Sequence, residues 1–206
     1  MSDQNQHDHN QSERRLTLGD IADLRAYERE REEFRNHVID LKRRRRIHVG
    51  PHVTLLFENR DTIRFQIQEM ARAEKILTDE GIETELRIYN PLIPEPGTLS
   101  ATLFIELVDD AQLREWLPKL VGIEKSVVLR LSDGTEVRCA PDADHASQLT
   151  REEITASVHY VGWTFTADQV AAFSSGPVSL VVDHPDYLFE TELTEANREE
   201  LASDLG

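Results

Sequence analysis

The chain has 206 residues, 39% hydrophobic and 30% charged, with a formal net charge of −16 and a single cysteine. That length can bury one sizeable core, in a single domain or two tightly joined halves. The lone Cys139 excludes an internal disulfide and any cysteine-rich zinc or iron–sulfur site, and no apolar run reaches the roughly 18 residues of a membrane helix.

A soluble, cytosolic protein is expected. Residues 1–50 carry 11 Lys or Arg and 10 Asp or Glu, whereas residues 51–206 carry 12 and 29. Such an acidic body repels nucleic acid and anionic membrane at long range, so the run Lys42 to Arg46 reads as a solvated or salt-bridged helix end. Neither nucleic acid nor membrane is expected as a partner.

Residues 1–15 have nothing apolar to bury after Met1 and are expected to be a disordered tail that includes His7 and His9. Residues 16–206 are expected to form one α+β domain. Thr17 and Asp20 form a capping-box pattern, predicting a helix from near Leu18 to about Arg45. After Gly50-Pro51, His52 to Glu58 reads as an interior strand. Asn59 then caps a predicted helix from Arg60 to Asp79, ended by Gly81. Thr84 to Tyr89 reads as a short strand, and Pro91 to Gly97 as a rigid, exposed loop.

The second half alternates. A strand is predicted over Leu99 to Val108, followed by a short helix capped by Asp109 and stopped near Pro118. Val127 to Leu131 and Glu136 to Cys139 flank Ser-Asp-Gly-Thr, and Asp-Gly suits the positive φ of a tight hairpin turn. Ser157 to Phe165 reads as a strand, Thr166 with Gln169 caps a helix to Phe173, Val178 to Asp183 is a buried strand, and a last helix runs from Glu195 to Leu205. Hairpins mixed with crossovers predict an α+β fold. Its elements are a mixed sheet, a long N-terminal helix packed beside a second helix, short crossover helices and a C-terminal helix.

Charges interrupt two apolar stripes. Arg31 lies on the stripe of Leu24, Tyr27, Phe34, Val38 and Leu41, and Glu74 lies between Ile63 and Ile67 on the next helix. A buried charge needs a partner, so Arg31, Arg45, Glu58 and Glu74 are expected to form structural ion pairs. Rise per residue places Glu74 level with Arg43 to Arg46, and Arg31 near Glu58 and Asp61. Glu69, on another face near Phe65 and Ile76, is a further candidate.

His52 and His48 flank Gly-Pro, so their spacing implies no shared helical face. His159 alternates with apolar neighbours and is expected to point away from the core. Asp183, His184 and Tyr187 fall at the end of a buried strand, a common place for a ligand site, with His184 bound to a backbone carbonyl as the plainer alternative. His145 lies in a polar loop. No HExxH, phosphate loop or nucleophile elbow is present, so no catalytic constellation is complete and no cofactor is implied.

The segments Gly50 to Met70 and Val182-Asp-His-Pro-Asp-Tyr resemble a bacterial family of uncharacterised proteins, domain of unknown function thirty-five-oh-one, over nearly the whole chain after residue 16. Members of that family tend to be encoded beside rubrerythrin-like proteins and iron–sulfur oxidoreductases of the heterodisulfide-reductase type. The resemblance therefore implies a role in peroxide defence or redox metabolism, with such a protein as partner, and it assigns no catalytic residue. The expected function is an accessory, partner-binding one. The alternative is a metal-binding protein or metal-dependent enzyme using His52, Glu69 and His184.

Overall fold

The computed structural model describes residues 14–142 and 154–206. Most of the expected tail, with His7 and His9, and His145 lie outside the described residues. The fold is α+β, and the chain divides into two compact units: the residues through Arg43 with Glu58–Glu95, and Arg44–Phe57 with Pro96–Gly206.

In the first unit the Thr17 N–H and hydroxyl both donate to Asp20, as the capping pattern predicts, at 2.8 and 2.9 Å. What they cap is only a 3-10 turn, Leu18–Asp20. Helix α1 (Leu24–Arg45) starts later, where the Asp23 carboxylate accepts the Ala26 N–H at 2.9 Å. Helix α2 (Arg60–Glu74) is capped by Asn59, whose side chain accepts the Thr62 N–H while the Thr62 hydroxyl oxygen accepts the Asn59 N–H.

Helix α2 ends five residues before the predicted Asp79. Lys75 takes the left-handed conformation, φ 56° and ψ 46°, which breaks the helical ladder. Helix α3 (Asp79–Tyr89) follows, with the Thr78 hydroxyl accepting from Gly81, so Gly81 lies in a first helical turn rather than ending a helix. The predicted strand at Thr84–Tyr89 is therefore helical, and Leu86 is its buried residue. The proline loop is also less exposed than predicted, because Leu92, Ile93 and Pro94 are buried.

The two long helices are antiparallel neighbours. Pairs step down one helix as they climb the other: Glu28 with Arg72, Arg31 with Glu69, Phe34 with Phe65, His37 with Asp61. That register shifts every charge pairing inferred from rise alone.

Among the described residues the second unit holds two sheets, and each of their strand pairs is antiparallel, in place of one mixed sheet. In the five-stranded sheet β1 (Arg46–Val49), β2 (Val53–Phe57), β3 (Thr98–Ile105), β7 (Val158–Thr164) and β6 (Ala140–Pro141) lie in that order. The four-stranded sheet has the order β5 (Glu136–Arg138), β4 (Val127–Arg130), β8 (Ser179–His184), β9 (Tyr187–Glu192). Strands β5 and β6 flank Cys139 and belong to different sheets, so the chain passes from one sheet to the other there. At the other edge the Thr191 hydroxyl of β9 donates to the His48 carbonyl of β1 at 2.8 Å.

Inward residues of both sheets fill one core: Leu55, Phe57, Leu103, Trp163, Leu129, Leu180 and Val182 are at most 1% exposed. Among the described residues three α-helices complete the unit: α4 (Asp110–Lys119), α5 (Ala167–Ser175) and α6 (Glu195–Leu205). Asp109, Thr166 and Thr194 cap them through side-chain oxygens. Leu201 and Leu205 of α6 join the core, and Gly97 N–H bonds the Leu205 carbonyl at 3.1 Å. No helix of the described residues is long and apolar enough to cross a membrane.

Candidate functional site

Four rings meet where the β1–β2 turn faces the start of β9. His52 lies 4.7 Å from Trp116 and 6.3 Å from Tyr187 between centroids, Trp116 meets Tyr187 edge-on at 6.2 Å, and Tyr187 lies 4.6 Å from Phe189. The turn adopts the shape it does because Gly50 has φ +69°, and a Cβ there would come within 2.5 Å of Phe189 and 2.6 Å of the Tyr187 oxygen.

Tyr187 is the hub, only 1% exposed. Its hydroxyl donates to the Val49 carbonyl at 2.7 Å and accepts the His52 and Val53 N–H groups at 2.8 and 3.1 Å. Burial raises the phenol above its usual range, against the two N–H donors that favour the ionised form. The hydroxyl thus stays protonated with its one hydrogen committed. It holds structure and is not free for proton transfer.

His184, predicted as a ligand candidate, is buried with both ring nitrogens engaged. Nε2 lies 3.1 Å from the Val121 carbonyl, and Nδ1 accepts the Asp186 N–H at 3.2 Å, which assigns the proton to Nε2. The backbone-satisfied alternative describes it. Its neighbour Asp183 points the other way along the strand and pairs with Arg138 at 2.8 Å. His52, Tyr187 and His184 belong to one end of the second unit, whereas Glu69 belongs to the first unit, where Arg31 grips both its oxygens at 2.8 and 2.9 Å and Tyr27 donates at 2.7 Å. The Arg31 hydrogen bonds, with that of Tyr27, hold the Glu69 carboxyl below the usual carboxylate range. Among the described residues no three His, Cys, Asp or Glu side chains form a group that could hold a metal ion.

The ion pairs are redistributed. Glu74 is exposed at the last turn of α2 and is not the partner of the arginine run. Arg45, 1% exposed, instead makes a two-pronged contact with Asp204 at 2.7 and 3.0 Å and reaches Glu200 at 2.9 Å; Glu200 also holds Arg44 at 2.8 Å. Burial works against the Arg45 charge, and Asp204 with Glu200 more than offsets it, so its pKa rises. Glu58 is buried and accepts from the Thr62 hydroxyl, Asp61 pairs with His37, and neither is the partner of Arg31. His159 is 1% exposed rather than outward, with the Thr155 hydroxyl at 2.8 Å and the Ala156 carbonyl at 2.9 Å.

Sequence reasoning missed Trp116 and Phe189. Strand β9 was the missing link: Pro185-Asp186 between two apolar runs is a two-residue hairpin connection, and Tyr187 and Phe189 alternate after it.

Two antiparallel sheets around a shared core, with an aromatic cluster at one end, and long paired helices in the other unit define an α+β protein in which Tyr187, His184, Glu69 and Arg45 are engaged in holding structure. The chain belongs to the family described as Protein of unknown function (DUF3501), which matches residues 15–205. It is similar to a crystal structure at 1.90 Å of a novel protein of unknown function from Burkholderia pseudomallei K96243. That similarity has 38% identity and a TM-score of 0.85, covering 93% of this chain and 99% of that one. No curated protein matches the chain.

Proposed function

We propose that this protein is a cytoplasmic accessory protein that acts by binding a protein partner in a bacterial redox or peroxide-defence system. The carrying observation is the state of its ionisable groups: Tyr187, His184, Glu69 and Arg45 are each engaged by groups of the protein itself, so their geometry serves rigidity. A net charge of −16 on such a scaffold steers it toward a basic surface. The redox assignment draws on the rubrerythrin-like and iron–sulfur neighbours that the family resemblance implies. The test is a titration of the purified chain with a rubrerythrin-like protein and with an iron–sulfur oxidoreductase of the heterodisulfide-reductase type, the two kinds that the family resemblance implies. Saturable binding that weakens as salt rises is expected, and no complex with either at low salt overturns the reading.

A further inference from the structure

We propose that the ring cluster at the Gly50-Pro51 turn is a docking surface for a basic segment of a partner protein, one that carries arginine or lysine together with apolar side chains. The proposal rests on the partner-binding reading above and names the surface and its occupant.

The cluster is buried on one side and open on the other. Tyr187 is sealed, while Phe189 is 40% exposed, Pro51 is exposed, and His52 and Trp116 are half-buried. Aromatic surface left in water beside a fixed turn is a feature of binding sites. The three hydrogen bonds of the Tyr187 hydroxyl hold the turn in place before anything binds, which lowers the ordering cost of association.

Charge selects the occupant. Asp186 directly precedes Tyr187 at the turn into β9 and Glu115 precedes Trp116, whereas Glu190 lies on the opposite face of β9 from Phe189. In this unit Asp and Glu outnumber Lys and Arg by 20 to 10. Glu115 is matched by Lys119 and Glu190 by Arg130, whereas Asp186 is exposed and has no cation within ion-pair distance among the described residues. The Trp116 face already takes a cation, with Lys119 Nζ 5.1 Å from the ring centre. A guanidinium suits such a place because it stacks on a ring and bonds a carboxylate at once, while an adjoining apolar side chain covers Phe189.

The full-length chain, isotopically labelled, is titrated with a synthetic peptide of alternating arginine and leucine, and with a control of equal charge alternating lysine and glycine. Amide shifts from the first peptide should cluster at residues 50, 52, 116 and 186–189. Phe189→Ala and Asp186→Asn should each weaken it roughly fivefold or more while leaving the control little changed. Should Phe189→Ala fail to fold, the exposed Asp186→Asn decides alone. Shifts spread along the acidic residues of α6, shifts at the cavity lined by Leu18, Ile76 and Ile82, or equal affinity for both peptides would overturn the proposal. If a redox neighbour binds wild type and both variants alike, the surface is wrong and the partner-binding reading stands. If no neighbour binds while the arginine–leucine peptide behaves as stated, the surface stands and the redox assignment falls.

Discussion

Tyr187 holds Val49 across the space between two sheets: its hydroxyl, on β9, donates to the carbonyl that ends β1, at 2.7 Å. The same oxygen takes the His52 and Val53 N–H groups, so one atom fixes both sides of the turn. Tyr187→Phe keeps the ring and leaves two buried backbone groups, Val49 C=O and Val53 N–H, and the part-buried His52 N–H without that partner. A loss of about 2–4 kcal/mol is expected in urea unfolding, since each unsatisfied buried group costs about 1–3 kcal/mol; a variant as stable as wild type refutes the role.

Gly50→Ala adds a single methyl group at φ +69°, into space occupied by Phe189 and Tyr187. The left-handed backbone costs roughly 1–2 kcal/mol for a residue with a Cβ, and the contacts add to it. A clear drop in melting temperature is expected, with larger shifts at residues 50–53 and 187–189 than elsewhere.

Arg45 and Glu74 separate burial from mere position on a stripe. Asp204→Ala removes the two-pronged partner of a cation that is 1% exposed and should cost about 3–5 kcal/mol, as for a broken buried pair. Glu74→Ala, at an exposed site, should stay within about 0.5 kcal/mol. Comparable losses in the two variants would contradict the assignment.

Burial pushes the Cys139 thiol up to about 11, and Sγ donates to the Glu124 carbonyl at 3.2 Å. Little thiolate exists at neutral pH, so alkylation of the native chain should be slow and should accelerate sharply in denaturant. Fast native labelling would show that the thiol is accessible.

His159 titrates below its ordinary 6.5 because burial disfavours its charge, with the Glu124 carboxylate and the Ala156 carbonyl working the other way. The unfolded chain takes up that proton first, so the contribution of His159 to stability is full above about pH 6.5 and declines as pH falls below it. His159→Gln should flatten the stability profile in that window. The carboxyl groups of Glu69 and Glu200, both lowered, lose their contributions only at more acid pH. An unchanged slope would remove His159 as its source.

Much of the second unit was legible because its elements announce their own ends. The residue at each helix start is a side-chain cap, the Asp133-Gly134 turn separates its strands where predicted, and α6 begins at Glu195 and ends at Leu205 as read. Strand β1 was hidden because Arg46 and His48 alternate with Ile47 and Val49 directly behind a basic helix end, and only pairing with β2 distinguishes strand from continued helix. The Thr84–Tyr89 error has the same origin, since Leu86 and Ile88 fit either period over so short a window. The ion pairs were illegible because register between elements decides them: Arg45 pairs with Asp204, 159 residues away.

The seam between β1 and β9 bears on how this acidic protein stays dispersed. One carbonyl on the outer side of β1, an outer strand of its sheet, is already occupied, that of His48 by the Thr191 hydroxyl, while the next, Val49, faces into the turn and is taken there by the Tyr187 hydroxyl. A foreign strand seeking to extend that sheet finds the His48 acceptor taken, which works against edge-to-edge aggregation. Recognition at this end of the protein is thereby left to side chains, not to backbone.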